Sequence, residues 1–264
     1  MIFDRIFGKE RNVIIGMVHC LPLPGTPRYS GDSRKIIDQA VADALTLERA
    51  GVDGIIVENM GDDPFGIEMD HEQAIALAAI SALVKEKVKI PVGIDAAMND
   101  YRTSISICKA IGGAFVRIPV FVDTVAFSGG IIQPCARQST YFRKHLDAVD
   151  VAIFADIQVK HSHMVIPSVT IEDSARMAQD SGADAIIVTG TRIGVETPMD
   201  IIQRAKKVVN VPLIVASGVK ESNIKQQMQV ADGAIIGSSL KVGGVLSNPI
   251  SFDLTNKLLD CMRS

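Results

Sequence analysis

Eight short runs of β-branched and apolar residues recur along the chain, each followed by a stretch with helical periodicity. They are Val13–Val18, Gly54–Val57, Val92–Ile94, Ala114–Ile118, Val151–Ala155, Ala185–Val188, Leu213–Ala216 and Gly233–Ile236. A strand that is apolar without alternation is covered on both faces, which is the condition of a parallel sheet layered by helices. Between the first two runs, Ile36, Ala40, Ala44 and Leu47 share one helical stripe while Asp38, Asp43 and Glu48 occupy others. Strict alternation implies right-handed crossovers, and eight units in about 250 residues is the size at which such a sheet closes. The predicted fold is therefore α/β, a closed eight-stranded parallel (β/α)8 barrel of TIM type, as one domain over residues 1–264. The rival open, doubly wound sheet carries a Gly-rich fingerprint after its first strand. Here that position reads His19-Cys-Leu-Pro-Leu-Pro-Gly25, and its two prolines lack the amides a phosphate needs.

An internal echo fits closure. Ala50-Gly-Val-Asp-Gly-Ile-Ile-Val57 matches Ser181-Gly-Ala-Asp-Ala-Ile-Ile-Val188, and Pro-led strands follow at Pro91 and Pro212. Duplication of a half-barrel and convergent helix-to-strand loop chemistry both produce such a match.

Composition removes whole classes of function. Among 264 residues, 27 Lys and Arg stand against 30 Asp and Glu, giving a net charge of -3, with no long block of either sign. No nucleic-acid partner is expected from such a balance. The apolar runs stop well short of the roughly 20 residues of a membrane helix. The opening Met1-Ile-Phe-Asp-Arg-Ile-Phe-Gly-Lys-Glu-Arg-Asn12 lacks the apolar centre of a signal peptide, so a cytoplasmic location is expected. Cys20, Cys108, Cys135 and Cys261 show no paired metal spacing and read as reduced thiols.

In such a barrel the active site lies at the C-terminal ends of the strands. That rule selects His19, Glu58-Asn59, Asp95, Arg117, Asp156, Thr189-Gly190, Ser217-Gly218 and Gly237-Ser238-Ser239. The small residues Ser217, Gly218, Gly237, Ser238 and Ser239, helped by a short helix N-terminus, would let backbone amides approach a phosphate, with Lys241 as an added charge. Glu58, Asp95 and Asp156 would share acid and base roles or hold a divalent cation. No other cofactor is indicated. Lys160 would form a Schiff base or act as an electrophile, and His161 would move a proton or touch substrate. His19 is a further catalytic candidate. The Pro-rich segment Leu21–Tyr29 reads as a rigid loop with Arg28 facing an anion, and Phe121–Gln138 as a long lid loop.

The segments Val13-Ile-Ile-Gly-Met-Val-His19, Leu21-Pro-Leu-Pro-Gly-Thr-Pro-Arg-Tyr29, Gly51-Val-Asp-Gly-Ile-Ile-Val-Glu-Asn59, Val159-Lys160-His161 and Gly237-Ser-Ser-Leu-Lys241 resemble the signature of the BtpA/SgcQ family nearly end to end. The resemblance implies a TIM-like barrel and a family named for a cyanobacterial factor of photosystem I biogenesis. It marks His19, Glu58, Asn59, Asn99, Asp100, Asp156, Lys160, His161, Thr189 and Lys241 as recurrent polar positions, with Asn59, Asn99, Asp100, Arg117, Thr189 and Gly190 expected at the substrate. Departures are Gln158 where His is common, Asp95 where Asn ends the third strand, and Ile118-Pro119 after Arg117, where Asn is common.

The expected function is an enzyme acting on a small phosphorylated metabolite, a sugar phosphate or nucleotide-like compound. Lyase, isomerase and glycosidic hydrolase chemistries remain open. The alternative is a non-catalytic assembly or accessory factor for a membrane protein complex, which predicts an exposed apolar patch near the rim or a mouth plugged by side chains. Homo-oligomerisation is expected because barrels commonly bury an apolar surface in a twofold interface.

Overall fold

All eight apolar runs form strands that pair in one closed circuit. The computed structural model describes residues 2–190 and 194–263. The barrel strands are β1 (Val13–His19), β2 (Gly54–Glu58), β3 (Val92–Asp95), β4 (Phe115–Ile118), β5 (Ala152–Ile157), β6 (Ala185–Thr189), β7 (Leu213–Ala216) and β8 (Gly233–Ile236). Each is parallel to the next, and β8 closes onto β1 with Val13 opposite Gly233. A helix follows every strand, from Ser33–Ala50 after β1 to Phe252–Arg263 after β8. Among the described residues no helix is long and apolar enough to cross a membrane.

The first helix shows how the pattern works and where it misleads. Ile36, Ala40, Ala44 and Leu47 are buried against the barrel, as their spacing requires. Asp32 starts the helix by accepting from the Lys35 amide, and Gly51 ends it at φ 91°, a left-handed position that suits glycine. Asp43 departs from its expected solvent stripe and is buried. Its carboxylate accepts from Lys241 Nζ at 3.1 Å and from the Ile250 amide at 2.8 Å, so the charge is paired and the segment after β8 is tied to this helix.

Inside the barrel, residues such as Ile15, Met17, Ile56, Ile187, Ile214 and Ile235 fill the lumen, and Phe115 stacks on Phe154 with centroids 4.5 Å apart. The lumen is closed at the start of the strands by a helix the apolar pattern did not reveal, Ile2–Phe7. Its Phe3 is fully buried 6.0 Å from Phe154, and its Phe7 lies 5.8 Å from Phe115.

The Gly-x-Asp echo has a mechanical explanation. Asp53 accepts from the Ile14 amide at 2.7 Å, and Asp184 accepts from the Ile153 amide at 2.8 Å. Asp232, which precedes β8 without the glycine, does the same for the Leu213 amide at 2.8 Å. Each carboxylate satisfies an amide at the start of a neighbouring strand, the first or second in it. The echoed residues thus serve as loop clamps.

Part of the expected lid loop is ordered as sheet. Val125–Phe127 pairs antiparallel with Gly130–Ile132 and with His163–Met164, forming a small sheet at the rim. The helix Ala136–His145 begins inside the same segment.

Candidate active site

The strand register assembles the first part of the site. His19 lies opposite Glu58, and Glu58 lies opposite Asp95, because β1, β2 and β3 end level with one another. His19 Nε2 stands 3.4 Å from Glu58 Oε2. Arg117 of β4 continues the belt. Its Nη1 is 3.6 Å from Asp95 Oδ2, while Nε and Nη2 donate to Asp156 of β5 at 2.9 and 2.8 Å. All five side chains are buried.

These groups surround a cavity of ≈ 730 Å³ at the C-terminal end of the barrel. His19, Glu58, Asp95, Arg117, Lys160 and His161 line it, with Met60, Phe65, Met98 and Phe127 as apolar wall and Arg28 at the edge. Arg28 pairs with Asp63 at 3.0 Å across the first two loops. A second recess of ≈ 40 Å³ is lined by Ser217, Gly218, Gly237, Ser238 and Ser239, and it shares His19, Glu58, Arg117 and Lys160 with the larger cavity. Such a volume takes one compact group.

The electrostatics differ from one carboxylate to the next. Burial opposes ionisation of Glu58, but the hydrogen bond and charge of His19, then Arg117 and Lys160, overcome it and bring its pKa down to about 2. Asp95 is pushed well above the usual carboxylate range by burial and by the neighbouring Glu58 and Asp156, against the pull of Arg117. Its Oδ1 has no hydrogen-bond partner among the described residues. Burial and the Arg117 cation hold the Lys160 ammonium below its ordinary range, although Glu58, Asp156 and Asp95 act the other way. The pattern is a paired carboxylate, a carboxyl that favours its proton, and an amine that gives its proton up more readily.

In the recess, Ser217 adopts φ 69°, and its buried hydroxyl has no partner among the described residues. Gly218 at φ 63° is confined by the loop after β6: a Cβ there would lie 2.4 Å from the Glu196 nitrogen. The first helical element after β8 is the three-residue turn Ser238–Leu240, too short to supply the expected helix N-terminus. Ser239 Oγ donates to the Val219 carbonyl at 2.6 Å and locks the two loops together.

Seven expected site residues do not line either cavity. Asp156 is wholly buried with both oxygens on Arg117, which makes it a positioning residue. Asn59 receives the Ala97 amide at 2.8 Å and donates to Asp62 at 3.1 Å. Asn99 brackets Val120, accepting from its amide at 2.8 Å and donating to its carbonyl at 3.0 Å. Asp100 caps the helix Tyr101–Ile111 through the Thr103 amide. Thr189 accepts from the Lys160 amide at 3.0 Å, and Gly190 is pressed against the Val195 carbonyl. Lys241, expected at the anion site, is fully buried on Asp43. Gln158 donates to the Val169 carbonyl at 3.2 Å and to Ser174 at 3.3 Å, so this departure from the family pattern serves the loop after β5. A shared cation is not supported by geometry either: Glu58 faces His19, Asp156 faces Arg117, and among the described residues no three His, Cys, Asp or Glu cluster as ligands.

The strand-end rule does not select the apolar wall: Met60 and Phe65 share the connection after β2, Met98 follows β3 and Phe127 follows β4, and no periodicity connects them.

Comparison with known proteins agrees with this architecture. An uncharacterised protein of Pyrococcus furiosus is 39% identical over 251 residues, covering 95% of this chain and 94% of that protein. The photosystem I biogenesis protein BtpA of Synechocystis is 34% identical over 245 residues, 92% of this chain and 85% of its own length. Among solved structures, thiamine phosphate pyrophosphorylase from Pyrococcus furiosus superposes with a TM-score of 0.60 at 11% identity, covering 96% of this chain and 95% of that one, a likeness of fold alone. The family match runs over residues 10–264, and the chain belongs to the BtpA family.

Proposed function

We propose that the barrel mouth is an active site for acid–base or carbonyl chemistry on a small phosphorylated metabolite, a sugar phosphate or nucleotide-like compound. One observation carries the reading: a cavity bearing Asp95, Lys160, His161 and the His19–Glu58 pair shares lining residues with a recess whose Ser217 hydroxyl, unpartnered among the described residues, lies in the same lining as Arg117 and Lys160. The recess takes the phosphate. The larger cavity takes the reacting end, where Asp95 donates a proton and His19–Glu58 or Lys160 accepts one. Arg117 supplies fixed positive charge and Asp156 holds it in place. The resemblance in fold to a protein named for thiamine phosphate supports the same class of ligand.

The test is thermal unfolding with inorganic phosphate or glycerol 3-phosphate, comparing wild type with Ser217→Ala and Gly218→Asp. At about one hundred times the dissociation constant, binding adds about 2.7 kcal/mol, several degrees for a chain of this size. Wild type shifts by that amount, Ser217→Ala by clearly less, and Gly218→Asp not at all. Equal shifts in wild type and Ser217→Ala reject the location.

A second reading rests on the small rim sheet and the turn after it, where Ile131, Val165 and Ile166 are 57%, 45% and 52% exposed. These side chains suit a contact with a second copy of the chain. Sedimentation velocity of Ile131→Asp with Ile166→Asp then shows a smaller particle than wild type. An unchanged sedimentation coefficient removes this reading.

A further inference from the structure

We propose that Lys160 is a nucleophile that forms an imine with an aldehyde or ketone carbonyl of the phosphorylated substrate, and that Asp95 is the acid that protonates the departing oxygen. The inference rests on the mouth being the phosphorylated-ligand site and adds the chemical class of the reacting end.

The position of Lys160 is the first support. It lines both the cavity and the phosphate recess, so an amine there reaches a carbonyl a few bonds from a phosphate held by Ser217. Among the described residues its ammonium also has no direct partner. Lys109, Lys206 and Lys241 each make a side-chain ion pair, whereas among the described residues Lys160 Nζ makes no hydrogen bond or ion pair. Lys160 is half-buried, and a charge that loses part of its hydration without gaining a partner is costly.

Its backbone is held firmly. The Lys160 amide donates to Thr189 Oγ1 at 3.0 Å, and the Gln158 amide donates to Asp123 at 2.7 Å. Gln158 and His161 flank it at φ 45° and 61°, left-handed positions that turn the chain sharply at the end of β5. The side chain therefore enters the mouth from a fixed base although it lies beyond the strand. Burial beside Arg117 favours the free amine, the form that attacks a carbonyl.

Asp95 supplies the matching acid. It lines the same cavity, has an unpartnered Oδ1, and is pushed toward its protonated form by burial and by Glu58. The Lys160 nitrogen lone pair forms a bond to the carbonyl carbon, and the C–O π pair moves to oxygen, which takes the Asp95 proton. The surplus proton on nitrogen returns to the Asp95 carboxylate, leaving a neutral carbinolamine. The C–O bond then breaks as Asp95 protonates the hydroxyl, water leaves, and the nitrogen lone pair completes the iminium. The net change joins one amine, one carbonyl and one acid proton into an iminium, a water and the Asp95 carboxylate. No oxidant, reductant or metal enters the balance.

The experiment treats wild type, Lys160→Arg and Asp95→Asn with dihydroxyacetone phosphate, glyceraldehyde 3-phosphate or pyridoxal 5′-phosphate, reduces with borohydride, and reads intact mass and peptide maps. At least one probe leaves a single adduct on the Lys160 peptide of wild type, faster than on exposed lysines such as Lys35 and Lys225. That adduct is absent from Lys160→Arg and forms at least about tenfold more slowly in Asp95→Asn. No adduct at Lys160, or labelling no faster than at the exposed lysines, overturns the proposal. Glycerol 3-phosphate, which has no carbonyl, scores the underlying site separately, and Lys160→Arg keeps the charge. A thermal shift without an adduct removes the imine and leaves the phosphate site. An adduct without a shift removes the phosphate site and leaves the amine chemistry.

Discussion

Asp156, itself wholly buried, grips Arg117 with both oxygens, at 2.9 and 2.8 Å. The bidentate geometry fixes the plane of the guanidinium and leaves Nη1 turned toward Asp95 at 3.6 Å. Breaking a buried pair strands a charge without a partner, so Asp156→Asn is expected to cost about 3–5 kcal/mol. Urea unfolding at neutral pH measures it. An unchanged midpoint would show that Arg117 is held by other contacts.

Asp95 should make stability fall as pH rises. Its folded value lies above the ordinary 3.8 because burial and Glu58 disfavour the anion. The stabilising contribution is fully present below 3.8 and is lost as pH climbs through the raised folded value. Asp95→Asn therefore gains on wild type as pH goes from 4 to 8. Melting both proteins across that range checks the sign; a variant that loses ground to wild type as pH rises contradicts it.

Glu58 should act in the opposite direction. With a folded value of about 2 against 4.5, its contribution is present above 4.5 and disappears as pH falls through about 2. The full effect is on the order of 3 kcal/mol. Glu58→Gln is expected to flatten the acid limb of a stability–pH curve followed by circular dichroism in urea. An acid limb of unchanged slope would remove the His19–Glu58 pair as its source.

Ser217 carries two local costs, a left-handed backbone at φ 69° and a buried hydroxyl with no partner. Ser217→Gly relieves both, for a gain of about 1–2 kcal/mol in the ligand-free protein. Differential scanning calorimetry should show a higher melting temperature. A lower one would mean that the hydroxyl is satisfied in solution.

Lys241 is fully buried on Asp43, away from the recess. Lys241→Ala should cost about 3–5 kcal/mol. The phosphate-dependent melting shift, in degrees, should stay at the wild-type size. Loss of that shift in a variant that still melts cooperatively would return Lys241 to the anion site.

The barrel was legible because its strands are buried on both faces, so Leu213–Ala216 and Gly233–Ile236 coincide with their apolar runs and the others differ by a few end residues. The rim sheet was not, since Val125–Phe127 is three residues long and its partner His163–Met164 lies far along the chain. The strand-end rule brought His19, Glu58, Asp95, Arg117 and Lys160 to one cavity wall. It failed for Asn59, Asn99 and Asp100 because polar side chains at loop starts serve backbone amides as readily as ligands. Asp43 and Lys241 show the related limit: a charge on a helix and another on a loop 198 positions away bury each other, and neither local pattern reveals it.

The helix Ile2–Phe7 has a kinetic consequence. With Phe3 and Phe7 filling the far end of the lumen, the described residues leave no passage through the barrel, and Arg28 and Ser128 line the cavity at its other end. Whatever enters must turn back and leave by the same passage. Incoming and outgoing molecules therefore exclude one another, and a spent ligand that lingers competes directly with its successor.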